Sequence, residues 1–185
     1  MHWNSSKPFA LLLCAVILAE PYLTEIGPHT VTMTIEWVGP YRAHVTAHTT
    51  IPVPQGRIWT VLTDYDHLEE FVPLMELSKV IQRDGPVILL YQRGSIRLPF
   101  YRKDLEVTFH VEEKPREAIH FEAVKGDFLI YRGSWELQKT AEGVRIDYEA
   151  TLEPAAPLPR WVMAHLERWL LRATFRAIIK RCLAA

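Results

Sequence analysis

Asp64 and Tyr65 are adjacent, a carboxylic acid beside a phenol, and such a pair can hand a proton to a substrate when both reach one pocket. The same residues have a plainer use: an aspartate before a short helical run caps free N–H groups, and a tyrosine packs. Arg93 and Arg97 flank Gly94 at the end of a run carrying Val87, Leu89 and Tyr91 on one parity. If Arg93 shares that side it points inward, and a buried guanidinium needs an acceptor, either a protein carboxylate or the polar head of a ligand. Trp135 shares a parity with Leu129, Tyr131 and Leu137. Aromatic side chains so placed fill a core or line a cavity, and Tyr and Trp keep a polar atom that a ligand carbonyl can use.

Other chemistries find no pattern. His44 and His48 are four apart, but in a strand that places them on one face about 13 Å apart, too far to share an ion. No His-Glu-x-x-His, Cys-x-x-Cys or clustered carboxylate loop is present. Ser78, Ser95 and Ser134 sit in or beside strand-like runs without a nucleophile-elbow pattern. No catalytic residue, metal or cofactor is assigned.

The elements that would position these residues are strands and one long helix. Thr30 to Thr50 is β-branched and aromatic and splits at Gly39-Pro40 into two strands, the outer one a possible edge addition. Leu77 to Gln82 and Val87 to Arg93 form a hairpin across Arg83-Asp84-Gly85-Pro86, where Asp-Gly supplies a positive φ. Leu105, Val107, Phe109 and Val111 alternate with polar residues, as do Val144, Ile146, Tyr148, Ala150 and Leu152. Ala118 to Val124 and Phe128 to Leu137 form a further pair, so the sheet is mainly antiparallel with one wet face. After Pro159 no proline or glycine interrupts the chain. Leu158, Val162, Leu166, Trp169, Leu170 and Ala173 lie on one face of a terminal helix about 37 Å long.

Between the first strands and the hairpin stands Ile51-Pro-Val-Pro54, then Trp59, Leu62-Thr-Asp-Tyr65, Phe71-Val-Pro73 and Ser78-Lys-Val80. The prolines hold Ile51 and Val53 extended and end a strand. Ile58, Val61 and Leu62 then make one apolar helical face, and Asp64 or Asp66 can cap a second short helix. This pattern resembles the opening of polyketide cyclase/dehydrase-like and coenzyme Q-binding START domains, members of the helix-grip superfamily. The resemblance covers roughly residues 31 to 183. It implies an α+β helix-grip fold: a curved antiparallel sheet of about seven strands around a long C-terminal helix, with two short helices after the first core strand.

The resemblance also implies that the volume left between helix and sheet is a ligand cavity. The candidates to line it are Tyr65, Phe71, Tyr91, Arg93, Tyr131, Trp135, Val162, Leu166 and Trp169. The expected function is non-catalytic binding or transport of a lipid, isoprenoid quinone or polyketide-like molecule. The alternatives are a polyketide cyclase/dehydratase, with Tyr65, Arg93 or Tyr131 as proton donors, and a protein-interaction module. Arg168, Arg172 and Arg176 form a stripe on the last helix that either complements its dipole or meets anionic lipid during transient membrane contact.

Bulk properties fit one globular domain, since 49% of residues are apolar and 23% charged. A formal charge of −1 argues against a nucleic-acid partner, which would need a basic field. Residues 1–19 have the layout of a signal peptide: Lys7, an apolar run from Pro8 to Ala19, then Glu20 and Pro21. Twelve residues at ~1.5 Å each fall short of a ~30 Å hydrocarbon core. Export to a periplasm is therefore expected, an uncleaved N-terminal anchor being the alternative, with residues 20–30 as linker and 31–185 as the ligand-binding domain. Cys14 would leave with the signal, and Cys182 remains as a packed lone thiol.

Overall fold

The computed structural model describes residues 22–26, 29–98, 101–156 and 159–184. Nine strands run in the order β1 (Tyr22–Ile26), β2 (His29–Trp37), β3 (Ala43–Ile51), β4 (Met75–Asp84), β5 (Val87–Leu98), β6 (Tyr101–Lys114), β7 (Ala118–Gly126), β8 (Phe128–Thr140) and β9 (Gly143–Pro154). They form one antiparallel sheet in the order β1-β2-β3-β9-β8-β7-β6-β5-β4, so β9 returns to pair with β3. Helix α1 (Gln55–Thr63) and a 3-10 helix (Tyr65–Glu70) separate β3 from β4, and α2 (Arg160–Leu183) ends the chain.

Alternation builds the concave face. In β9 the side chains of Val144, Ile146, Tyr148, Ala150 and Leu152 are all buried, and their β3 neighbours Ala43, Val45, Ala47 and Ile51 complete the same layer. β3 stops at Ile51, where Pro52 cannot join the ladder. Gly85 turns between β4 and β5 at φ 58°, the value the Asp-Gly pair anticipates. At Gly133 a Cβ would stand 2.1 Å from the carbonyl oxygen of Glu149, so the close approach of β8 to β9 needs glycine.

Several expectations need correction. The sheet has nine strands rather than about seven: Tyr22–Ile26 pairs with β2 from Tyr22↔Met33 to Ile26↔His29, inside the stretch read as a linker. Five residues are too short to carry a periodic signal of their own, and an edge strand borrows its order from its neighbour. Neither Asp64 nor Asp66 caps the 3-10 helix. Asp64 instead accepts from His67 Nδ1 at 2.6 Å, and Asp66 accepts from the Val80 N–H at 2.7 Å, which ties this turn to β4. The segment read as a signal peptide, with Cys14, lies outside the described residues, as does Leu158. Among the described residues no helix is long and apolar enough to cross a membrane.

The inward face of α2 is also rotated from the expected one. Met163, Leu171, Phe175, Ile178, Ile179 and Cys182 are buried, whereas Trp161 is 77% and Trp169 47% exposed. Large apolar residues occur on every side of this helix, so periodicity alone could not choose the face. Burial pushes the Cys182 thiol up to about 11, the state of a packed thiol rather than a reactive one.

A cavity between the sheet and the terminal helix

A cavity of about 350 Å³ lies between the concave face and α2, walled mostly by apolar side chains. Val61 and Leu62 come from α1, Leu90 from β5, Val107 and Phe109 from β6, and Leu166, Leu170 and Leu171 from α2. The far wall is aromatic. Phe109, Phe121 and Tyr131 meet edge to face with ring centroids 5.1, 5.5 and 5.7 Å apart, and Trp135 lies 4.5 Å from Tyr148. Edge-to-face contact matches the positive rim of one ring to the negative face of the next, which fixes this wall.

The polar groups facing the cavity are few. Tyr131 and Tyr148 are neighbours on this wall, and a contact between two hydroxyls uses only one O–H, so the pair keeps one donor for another acceptor. Burial raises the proton affinity of both phenols, so they stay neutral. Glu167 projects from the middle of α2 into the same space with no hydrogen bond or ion pair to a described residue. Burial alone pushes its carboxyl up from 4.5 to about 7. Lys103 and Asp127 also border the cavity but hold each other at 2.9 Å.

The residues singled out from the sequence divide into three groups. Tyr65, Phe71, Tyr131, Trp135 and Leu166 line the cavity. The Tyr65 phenol is raised by burial first and by the neighbouring Glu113 carboxylate second, although no hydrogen bond of good geometry joins them. Arg93 reaches only the rim: its side chain is 45% exposed and pairs with Glu76 at 3.8 Å, so the acceptor is a protein carboxylate. Tyr91, Val162 and Trp169 do not line the cavity, contrary to expectation.

Each displacement has a local cause. The run Val87-Ile-Leu-Leu-Tyr91 is apolar on both parities, and Ile88 and Leu90 take the buried side, which leaves Tyr91 opposite Thr108 on the other face. In β8 a bulge between Phe128 and Ile130 resets the alternation: Phe128 packs 4.9 Å from Tyr131 while Leu129 is 67% exposed. Val162 and Trp169 follow the rotation of α2.

Glu167 and Tyr148 are functional candidates that site reasoning missed. The signal for Glu167 was available: Met163, Glu167, Leu171, Thr174 and Ile178 recur at helical spacing, so a carboxylate sits in the middle of the apolar stripe. Among the described residues no group of three or more His, Cys, Asp or Glu side chains is arranged to hold a metal ion.

The sequence profile of a family described as polyketide cyclase/dehydrase and lipid transport matches residues 51–179. A search of curated protein sequences finds no match. Among solved structures the chain is similar to a STAR-related lipid transfer protein from Xanthomonas axonopodis, with TM-score 0.70 and 18% identity over 88% of this chain and 98% of that one. Human STARD10 gives TM-score 0.68 at 18% identity, over 88% of this chain and 73% of its own. The Zhui aromatase/cyclase from a Streptomyces species gives TM-score 0.61 at 14% identity, over 77% and 92%. At these identities the likeness is one of fold, in which lipid carriers and cyclases share a scaffold.

Proposed function

Because the chain belongs to the polyketide cyclase/dehydrase and lipid transport family, we propose that it binds and carries a hydrophobic small molecule, lipid-like, quinone-like or polyketide-like, without altering it. The observation that carries this reading is the apolar cavity beneath α2, whose about 350 Å³ falls within the ~300–1,000 Å³ usual for small-molecule sites. Burying apolar ligand surface there is worth roughly 25 cal/mol per Å², and the few polar groups set orientation. Native mass spectrometry of the protein from its own host, followed by denaturing extraction, tests this directly. A discrete bound apolar molecule supports the carrier, and an empty protein that also fails to bind a fluorescent apolar probe defeats it.

Leu170 offers a sharper test, because it faces the cavity from α2 and is only half-buried by protein. Leu170→Trp puts an indole where the ligand would lie. The expected result is a loss of probe affinity of about tenfold or more, equivalent to ~1.4 kcal/mol, with the unfolding midpoint little changed. Unaltered affinity would place the ligand elsewhere.

The cyclase/dehydratase reading stands second, favoured by Glu167 and the Tyr131–Tyr148 pair, which bring proton-transfer groups to the cavity. It requires turnover of a poly-β-ketone chain that is lost in Glu167→Gln or Tyr131→Phe.

The outer face of α2 supports a further part of the carrier proposal, contact with an anionic lipid surface. Trp161 and Trp169 stand exposed beside Arg168, Arg172 and Arg176. Arg168 and Arg172 also interact within the protein, so the two tryptophans and Arg176 carry this part. Flotation with vesicles containing anionic lipid should recover the protein, and Trp161→Ala with Trp169→Ala should lower recovery severalfold. Equal recovery with uncharged vesicles, or none with either, would remove membrane contact from the proposal.

A further inference from the structure

We infer that Glu167 and Tyr131 together form a polar anchor inside the cavity that takes a neutral oxygen, carbonyl or hydroxyl, of an otherwise apolar ligand and turns away an anionic end. The inference rests on the carrier reading and names the ligand chemistry that reading leaves open.

Tyr131 and Tyr148 line the cavity side by side, and whichever of the two donates to the other, one O–H of the pair is left for another acceptor. Glu167 borders the same volume without a partner among the described residues, close enough that its ionised form would raise both phenols. A carboxyl desolvated in this way holds its proton near neutral pH and becomes a donor. Two donors facing one apolar space suit a ligand oxygen, which can accept twice.

Charge decides what is excluded. The positive groups at the cavity edge are already committed: Lys103 to Asp127 at 2.9 Å, and Arg93 to Glu76 at 3.8 Å. No basic group contributes to the state of Glu167, for which burial is the only cause. The groups facing it are Tyr131 on β8 and Tyr148 on β9, with Tyr65 beside Glu113 further round the wall. Among the described residues a buried carboxylate or phosphate end would meet no unpaired cation lining the cavity, and it would lose its hydration uncompensated. An ammonium end would also be desolvated, with one ionisable partner to offset that cost.

The test uses the full chain and straight-chain probes of equal length ending in methyl, ketone, hydroxyl, carboxylate or ammonium, competed against a fluorescent apolar probe. The expected order places ketone and hydroxyl first at pH 6. Their affinity should fall about three- to tenfold by pH 8 as Glu167 ionises and its donor is lost, an ordinary hydrogen-bond contribution. Glu167→Gln keeps an N–H donor that cannot ionise, so it should flatten this pH profile. Glu167→Leu should bring the ketone down toward the methyl probe. Equal affinity for all five ends, or preference for carboxylate or ammonium, overturns the inference while leaving the carrier intact. If none of the five competes and the fluorescent probe itself does not bind, the carrier reading falls and takes this inference with it.

Discussion

Phe175→Ala is expected to destabilise the protein by about 3–5 kcal/mol, the usual cost of deleting a fully buried phenyl ring and leaving its cavity behind. Phe175 is 0% exposed, and its ring lies 5.6 Å from that of Trp135, so it joins α2 to the aromatic wall of the sheet. Ile179 and Cys182 are buried along with it on the same side of the helix, whereas Leu166, Glu167, Leu170, Thr174 and Ile178 line the cavity. The helix thus roofs the cavity along one side and is anchored beside it by Phe175, Ile179 and Cys182. Urea unfolding would measure the loss, and the melting temperature should fall by ~2–4 °C per kcal/mol for a chain of this size. A cost below about 1 kcal/mol would contradict the anchor, because a phenyl ring that can be removed so cheaply was not holding two layers together.

The division within α2 explains what the sequence could and could not reveal. Strand β9 was legible because each inward residue is apolar and each outward one polar or small, so only one parity fits a core. The stretch from Ile51 to Pro73 was legible as a break, two short helices and a stop, since prolines act locally wherever they stand. Tyr91 was misplaced because its neighbours are apolar on both parities, and the choice between them belongs to the partner strands. Leu129 was misplaced by a bulge, which depends on how β8 meets β9 rather than on its own composition. Trp169 was misplaced because a tryptophan reads as core wherever it occurs. The cavity itself is a mismatch between the curl of a sheet and the width of a helix, a quantity that no single residue encodes. Glu167 alone could have marked it, since a carboxylate within an apolar stripe needs a partner, a proton or a space.

That same carboxyl predicts a pH-dependent stability. Its proton affinity rises from 4.5 in the ordinary case to about 7 in the folded protein, with burial as the cause. The folded state therefore holds the proton more tightly than the unfolded chain does. The resulting stabilisation is fully present below about 4.5 and is lost as pH rises through about 7. At about 1.4 kcal/mol per tenfold change in proton affinity the swing is at most ~3 kcal/mol, and water reaching the carboxyl through the cavity lowers it. The His67 imidazole, its proton affinity raised by the hydrogen bond to Asp64, also changes charge with pH, so the informative quantity is the difference between wild type and Glu167→Gln. Denaturant midpoints taken from pH 5 to pH 8 should show Glu167→Gln gaining on wild type as pH rises, with most of the gain between pH 5 and 7 and little above it. A flat difference would mean that Glu167 is ionised throughout and paired in solution, and the donor assigned to it would be gone. A rising difference that shrinks when a ketone-ended probe is present would tie the two properties together. The ligand would then be supplying the oxygen that keeps the proton on Glu167, and the stability curve would report occupancy of the cavity.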